Sequence, residues 1–164
     1  MKITTNADVL IKQLKEYRDK IKPKMEKLFE RLSYLGAFRA RVDFTSAMYA
    51  GDNDVEITVV PKDNGFEIVA SGHAVLFIEF GTGIKNPEHP LSSEFGFAHG
   101  TYGKGKGANP NGWVYYGVQG NAGRPVRDGV YRTMGNPPAR AMYNAGKEMK
   151  ERVLEIAREV FNGD

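Results

Sequence analysis

Residues 72–83 read Gly-His-Ala-Val-Leu-Phe-Ile-Glu-Phe-Gly-Thr-Gly, and the rest of the chain is organised around this stretch. It is the most apolar run in the sequence, it lies near the middle, and it ends in a Gly-Thr-Gly turn. A run this short is either a buried strand or a buried helix of about two turns, and periodicity alone does not separate the two. Gly81 and Gly83 supply the backbone freedom that a sharp turn needs.

Glu79 is the single charged residue in the apolar part of this stretch. A buried carboxylate must be paired or hydrogen-bonded. We therefore expect a partner for Glu79, either a basic side chain or the backbone N–H groups of the turn, and we assign it a structural role there.

The composition indicates one globular domain, spanning residues 1–164. Apolar residues make up 41% of the chain and charged residues 26%, which is typical of soluble domains. The absence of cysteine excludes disulfides, zinc–thiolate sites and thiol nucleophiles. No apolar run approaches the roughly 20 residues that span a bilayer, and the first residues have no signal-peptide core, so we expect no membrane partner.

Charge is distributed unevenly along the chain. Residues 1–41 carry 11 Lys/Arg and 5 Asp/Glu, whereas residues 42–83 carry 1 and 7. This asymmetry is typical either of nucleic-acid contact or of complementary surfaces in a self-assembling protein. We favour the second, because acidic residues are interleaved with the basic ones in the first third.

Two amphipathic helices are predicted, one at each end of the chain. The first begins near Ala7, and its apolar residues recur at spacings of three and four. Pro23 predicts a kink or a break in it, Gly36 a stop, and residues 37–49 a further short helix. The second runs from 139 to 161, with the prolines at 137 and 138 at its entry.

Strands are predicted between these helices. Residues 55–60 and 66–71 alternate in polarity and form a hairpin through the connection at 61–65, in which the Asn-Gly pair is the strong turn signal. Residues 113–116 and 130–134 are further strands, and residues 117–123 a glycine-rich connection. Residues 84–112 are rich in glycine and form a long flexible loop, a length that is usually functional or disordered. The fold class is therefore α+β, with the two terminal helices packed on a mostly antiparallel sheet.

The residues give little support to catalysis. There is no nucleophile elbow and no phosphate-binding loop in a strand-to-helix context. A loop metal site from His89, His99, Glu88 and Glu94 is a minor alternative, because a flexible loop holds ligands poorly. A hydrolase or nuclease that uses Glu79 with a loop histidine is another. We expect no enzyme, no catalytic residue, no metal and no cofactor.

A nucleic-acid-binding module is the main alternative to a structural role. Aromatic residues stand near Lys104 and Lys106 in and after the glycine-rich loop, as in proteins that stack single-stranded bases. The basic N-terminal third would add contacts to phosphates. The competing interpretation places Trp113 and its neighbours in the sheet core or in a protein–protein interface.

The chain resembles a family of tailed-phage virion proteins, the tail-component or tail-completion proteins of siphophage-type particles. The resemblance rests on Phe-Ile-Glu-Phe-Gly-Thr-Gly at 77–83, after a hairpin and before a variable loop with a Trp-Tyr strand. It also rests on Gly-Asn-Pro-Pro-Ala-Arg-Ala-Met-Tyr at 135–143, which matches the family's entry into its last helix. The chain departs from commoner members in its long loop and in lacking a Pro-Val-Asp-Thr-Gly-type segment after the first helix.

The resemblance implies a structural subunit of the head–tail neck, without catalysis, that forms a homo-oligomeric ring of about six copies. Such a ring would join a portal-side adaptor to the tail tube, be assembled in the host cytoplasm and remain in the virion. It could serve as tail completion, tail terminator or head closure protein. The motif residues that it singles out for structure or interface are Glu79, Phe80, Gly81, Thr82, Gly83, Pro137, Pro138 and Ala139.

Further contacts follow from the ring hypothesis. A ring interface is heterologous, so a basic face can meet an acidic face of the next subunit. The acidic candidates are Asp52, Asp54, Glu56 and Glu67. Lys104, Lys106 and Trp113 would lie at the lumen or at the contact with the next ring, where the lysines would face either passing DNA, bound without sequence specificity, or an acidic partner.

Overall fold

The computed structural model describes residues 7–47, 53–83, 89–97, 111–119 and 123–163. Its elements are, in chain order, α1 (Ala7–Ser46), β1 (Glu56–Lys62), β2 (Gly65–Ser71), α2 (Val75–Phe80), β3 (Trp113–Tyr116), β4 (Arg124–Arg127), β5 (Val130–Thr133) and α3 (Ala141–Asn162). The predicted α+β class is confirmed. In the described part of the chain the strands form two antiparallel sheets rather than one, with orders β1-β2 and β3-β5-β4.

The first helix begins where the sequence predicts but is longer. α1 is one helix of 40 residues that continues through Pro23 and Gly36, so the predicted stop at Gly36 and the separate helix at 37–49 are wrong. Gly36 is buried where α1 crosses its neighbours. A Cβ atom there would lie 2.6 Å from Met149 Sδ and 2.7 Å from Ile68 Cδ1. The glycine therefore permits close packing and does not end the helix.

α1 and α3 run antiparallel, and their packing forms most of the core. Lys24 Nζ donates to the Phe161 carbonyl at 3.0 Å at one end, and Arg39 pairs with Glu148 at 3.9 Å towards the other. One buried cluster joins α1 and α3 to the hairpin and to α2, through Ala37, Ala40, Phe44, Ile57, Ala74, Ile78, Ala141 and Ala145. A second lies between the two helices alone, through Leu28, Ile156 and Val160.

Residues 7–20 of α1 extend beyond the end of α3, and we call them the arm. Every residue of the arm is exposed. At 1.5 Å per residue the arm is about 20 Å long. Its apolar residues Leu10, Leu14 and Tyr17 are 57%, 58% and 64% exposed. They continue the stripe that packs against α3 further along α1.

The hairpin is confirmed, and its turn lies within the predicted connection at 61–65. β1 extends through Lys62, which pairs with Gly65, so Asp63 and Asn64 form the two-residue turn. The central run, left open between strand and helix, is the short helix α2, and it ends at Gly81 with φ +75°. β3 and β5 lie where strands were expected.

β4 (Arg124–Arg127) was missed, because a proline between two charged residues gives no strand signal. Within the predicted loop, residues 89–97 form turns, and the remainder of 84–110 lies outside the described residues. Among the helices of the described ranges, none is long and apolar enough to cross a membrane.

Candidate functional site

The two motif segments of the sequence, residues 78–83 and 135–143, lie against each other, and we call this contact the motif junction. Thr82 N donates to the Asn136 carbonyl at 2.9 Å, and Asn136 N donates to Thr82 Oγ1 at 2.8 Å. Ala139 N donates to the Ile78 carbonyl at 2.8 Å. Segments more than 50 residues apart in sequence are thus joined through their backbones.

The Glu79 carboxylate is the centre of the motif junction. Its Oε2 accepts the N–H of Met142 at 2.9 Å, and its Oε1 accepts the N–H of Tyr143 at 3.1 Å. These are N–H groups of the first turn of α3, which have no partner within the helix. A negative charge at this end also interacts favourably with the helix dipole. Glu79 is therefore the N-terminal cap of α3.

α3 needs this distant cap because the residue before it cannot supply one. Arg140 precedes the helix in a left-handed conformation, φ 58° and ψ 31°, and its side chain makes no cap hydrogen bond. Ser, Thr, Asp and Asn, the usual cap residues, are absent from 137–141. The sequence predicted that Glu79 has a partner, either a basic side chain or the N–H groups of the turn at 81–83; the backbone N–H groups that it binds belong instead to α3. α3 begins at Ala141, so Pro137 and Pro138 precede the first turn rather than lie within it.

His89 completes the hydrogen bonding of Glu79. Its Nε2 lies 3.2 Å from Glu79 Oε1, while its Nδ1 accepts the N–H of Leu91 at 3.1 Å. Because Nδ1 is an acceptor, the neutral ring carries its proton on Nε2 and donates it to the carboxylate. Phe80 packs on the histidine ring with centroids 4.4 Å apart and stacks on Phe97 at 4.5 Å.

Two glycines of the motif junction permit this close approach. Gly135 has φ +100°, and a Cβ there would lie 2.0 Å from the Thr82 carbonyl oxygen. Gly81 has φ +75°, and its Cβ would lie 2.7 Å from the Asn136 carbonyl oxygen. Both positions demand glycine for conformation and for space. Trp113 reaches the motif junction too, since its ring lies against Gly83.

The geometry of Glu79 and His89 in the motif junction indicates a structural role. Glu79 and His89 are only 5% and 3% exposed, and each oxygen of the carboxylate already accepts hydrogen bonds. The loop metal site, a minor alternative, would include Glu94, which is exposed, together with His99 and Glu88, which lie outside the described residues. Within the described ranges, no group of three or more metal-ligating side chains is present.

Asp54, a candidate for contacts between subunits, forms hydrogen bonds within its own chain. Its Oδ2 accepts the N–H of His73 and contacts His73 Nδ1, both at 2.8 Å, and its Oδ1 accepts the N–H of Ala74 at 3.2 Å. These hydrogen bonds stabilise the ionised carboxylate and lower the pKa of Asp54 to about 2, and the bond from the His73 backbone N–H has the largest effect. Asp54 thus fixes the turn that leads into α2.

The other interface candidates lie on the hairpin or beyond the described residues. Glu67 pairs with Lys62 at 2.9 Å across the strands, and Glu56 is exposed at the start of β1. Asp52, Lys104 and Lys106 lie outside the described residues. Of the acidic candidates that the structure describes, Asp54, Glu56 and Glu67, none belongs to the motif junction. His89 was considered as a metal ligand and, as a loop histidine, as a catalytic partner of Glu79, but its structural hydrogen bond to the Glu79 cap was not predicted.

Comparisons of the chain with protein-family models, with curated proteins and with solved structures found no match.

Proposed function

We propose that this chain is a structural subunit of a phage head–tail junction that assembles into a ring, as the resemblance of its two motifs implies. The ring would sit between a portal-side adaptor and the tail tube, in the finished virion. One observation carries the assembly part of the proposal: the apolar stripe of the arm has no covering element among the described residues.

The arm has the character of an interface. Its stripe of Leu10, Leu14 and Tyr17 is continuous with the α1 residues that α3 covers. Burying a large apolar side chain contributes roughly 1.5–3 kcal/mol. Three side chains that are each a little over half exposed would therefore contribute roughly 3–5 kcal/mol before the costs of association.

A second copy of this chain is the partner that fits the arm. A groove of about 490 Å³ lies between α1, the hairpin and α3, lined mainly by apolar side chains: Phe29, Leu32, Phe66, Ile68, Met142 and Met149. The arm, residues 7–20, carries four Lys/Arg against three Asp/Glu, a net charge of +1, whereas residues 53–71, which include the hairpin, carry four Asp/Glu and one lysine, a net charge of −3. Arm and groove are therefore complementary in both polarity and charge.

The same charges favour a head-to-tail contact over a symmetric one. Pairing two arms would bring two net-positive segments together, which electrostatic repulsion opposes. An arm in the groove of the next copy is a heterologous contact, and heterologous contacts form a ring when their rotation closes. Asp63 and Glu67, on either side of the groove-lining residues 64–66, would meet the basic residues of the arm.

Native mass spectrometry of the purified protein at low and moderate salt tests this proposal. The wild type should form a closed oligomer, and Leu10→Gln with Leu14→Gln should reduce it to monomers without changing the melting temperature of the subunit. Glu16→Gln with Asp19→Asn, two exposed arm residues off the stripe, is the matched control and should still assemble. A wild type that is monomeric under all these conditions would contradict self-assembly through the arm.

Two alternatives remain predictions with their own tests. The nucleic-acid module predicts binding through the basic N-terminal third and the loop that weakens steeply as salt rises. The hydrolase interpretation predicts an activity that is lost in Glu79→Gln while the fold is retained. The burial of Glu79 and its role as the cap of α3 favour a structural assignment over the latter.

A further inference from the structure

The three-stranded sheet has one partly buried face and one largely exposed, basic face. Successive residues of a strand point to opposite faces. Trp113 and Tyr115 alternate with Val114 and Tyr116 along β3, and the first pair is partly buried while the second is exposed. Tyr115 stacks near Tyr131 of β5, with ring centroids 5.5 Å apart, on the packed face.

Cross-strand register places three arginines on the exposed face. Arg132 of β5 pairs with Val114 on one side and with Arg124 of β4 on the other, so these three share a face. Val130, two residues before Arg132, pairs with Tyr116 and with Arg127, because a bulge at Val126 restores the register. We call the exposed residues of this face the arginine face: Val114, Tyr116, Arg124, Arg127 and Arg132; Val130, which lies among them, is only 6% exposed.

The arginine face is electrostatically unfavourable within the isolated subunit. Side chains directly opposite on antiparallel strands are about 5 Å apart, and like charges there are destabilising. Arg124 and Arg132 are such a pair. Asp128 is the one carboxylate between residues 111 and 134, and among the described residues none of the three arginines forms an ion pair. A negatively charged partner would remove this repulsion.

We propose that the arginine face binds the phosphate backbone of double-stranded DNA. Arginine is suited to phosphate because its planar fork donates two parallel hydrogen bonds. A tyrosine hydroxyl in the same plane, that of the 75% exposed Tyr116, is a further donor to the backbone. Contacts to phosphates carry no sequence information, so this binding is independent of sequence. The choice of duplex DNA rests on the proposed function, in which the ring surrounds DNA that leaves the head.

This face is distinct from the basic surfaces that the sequence indicated. Those were the first third of the chain and the lysines at 104 and 106, whereas the arginine face is built from β3, β4 and β5. Its location also separates it from the arm and groove, so assembly and DNA binding can be altered independently.

Fluorescence anisotropy with a short labelled DNA duplex, measured over a range of salt concentrations, tests the inference. For three phosphate contacts per subunit, a fourfold rise in salt from 50 mM should weaken wild-type binding about 40-fold. The double variant Arg124→Gln with Arg132→Gln keeps one phosphate contact. For this variant the same fourfold rise in salt should weaken DNA binding only about fourfold. The double variant should also melt no lower than the wild type, because it loses a repulsive pair.

Controls separate charge at this face from charge in general. Lys150→Gln with Arg158→Gln removes two positive charges from exposed positions on α3 and should leave the salt dependence unchanged. Arg124→Lys with Arg132→Lys keeps the charges and should retain the salt dependence. Equal binding by the glutamine double variant and the wild type would overturn the inference, as would displacement of the duplex by polyglutamate at equal charge concentration.

The same variants in native mass spectrometry distinguish this inference from the proposed function. A ring that forms but does not bind DNA through these arginines refutes the inference and leaves the proposed function standing. Arginine-dependent DNA binding by a protein that never assembles supports the binding face and contradicts the ring.

Discussion

Replacing Glu79 by glutamine tests the physical account of the motif junction most directly. The carboxylate accepts three hydrogen bonds, from Met142 N, Tyr143 N and His89 Nε2. A glutamine has one acceptor oxygen in place of two. If this oxygen takes the place of Oε1, its amide group faces the Met142 N–H, donor against donor.

The expected cost follows from this count. A buried donor left without a partner costs about 1–3 kcal/mol, and the helix also loses the charge at its N-terminus, which contributes about 0.3–1 kcal/mol. Glu79→Gln should therefore destabilise the fold by about 1–4 kcal/mol. In a protein of this size that lowers the melting temperature by about 3–16 °C. Glu79→Ala removes all three bonds and should cost more, about 4–6 kcal/mol.

Thermal melting by circular dichroism and amide hydrogen exchange are the two measurements. The amides of Met142 and Tyr143 should exchange faster in Glu79→Gln, ahead of those in the middle of α3. Glu151→Gln, on the exposed surface of the same helix, is the control and should change neither quantity appreciably. Unchanged melting together with unchanged protection at residues 142 and 143 would refute the capping role.

Three further predictions concern other parts of the fold. Gly135→Ala should destabilise the fold by about 3 kcal/mol or more, because its Cβ would meet the Thr82 carbonyl oxygen and its φ is strained for alanine. Gly146→Ala, with no atom within 4 Å of its Cβ, should stabilise α3 by about 1 kcal/mol. Denaturant unfolding of both variants compares the two free energies. The folded-state pKa of Asp54 lies at about 2, below the ordinary 3.8, so its stabilising contribution is complete above about pH 4 and is lost as the pH falls towards 2. Asp54→Asn should lose less stability than the wild type between pH 5 and pH 2, and parallel melting curves would contradict this. Charge reversal of Glu67 should weaken ring formation in low salt more than charge reversal of Asp8 on the arm, and an equal effect in native mass spectrometry would argue against the hairpin as the acidic partner.

The sequence alone identified the elements whose signals are local. The amphipathic period of the two long helices, the alternation around Asn64-Gly65 and the Trp-Tyr strand all depend on residues a few positions apart. Their types were therefore predicted correctly, and with them the α+β class. β4 was missed because its strand character comes from pairing with β5, not from its own residues.

Features that depend on distant residues were decided by the tertiary structure. Gly36 has the local signature of a helix stop, yet α1 continues, because the contacts of its buried face with Met149 and Ile68 outweigh the low helix propensity of one glycine. A need for a partner at Glu79 could be inferred from burial alone. The identity of that partner could not, since the N–H groups of α3 and the ring of His89 reach the carboxylate only once the chain has folded. Local propensity acts between neighbours in sequence, whereas desolvation of a charge is settled by whichever groups the fold brings within hydrogen-bond distance.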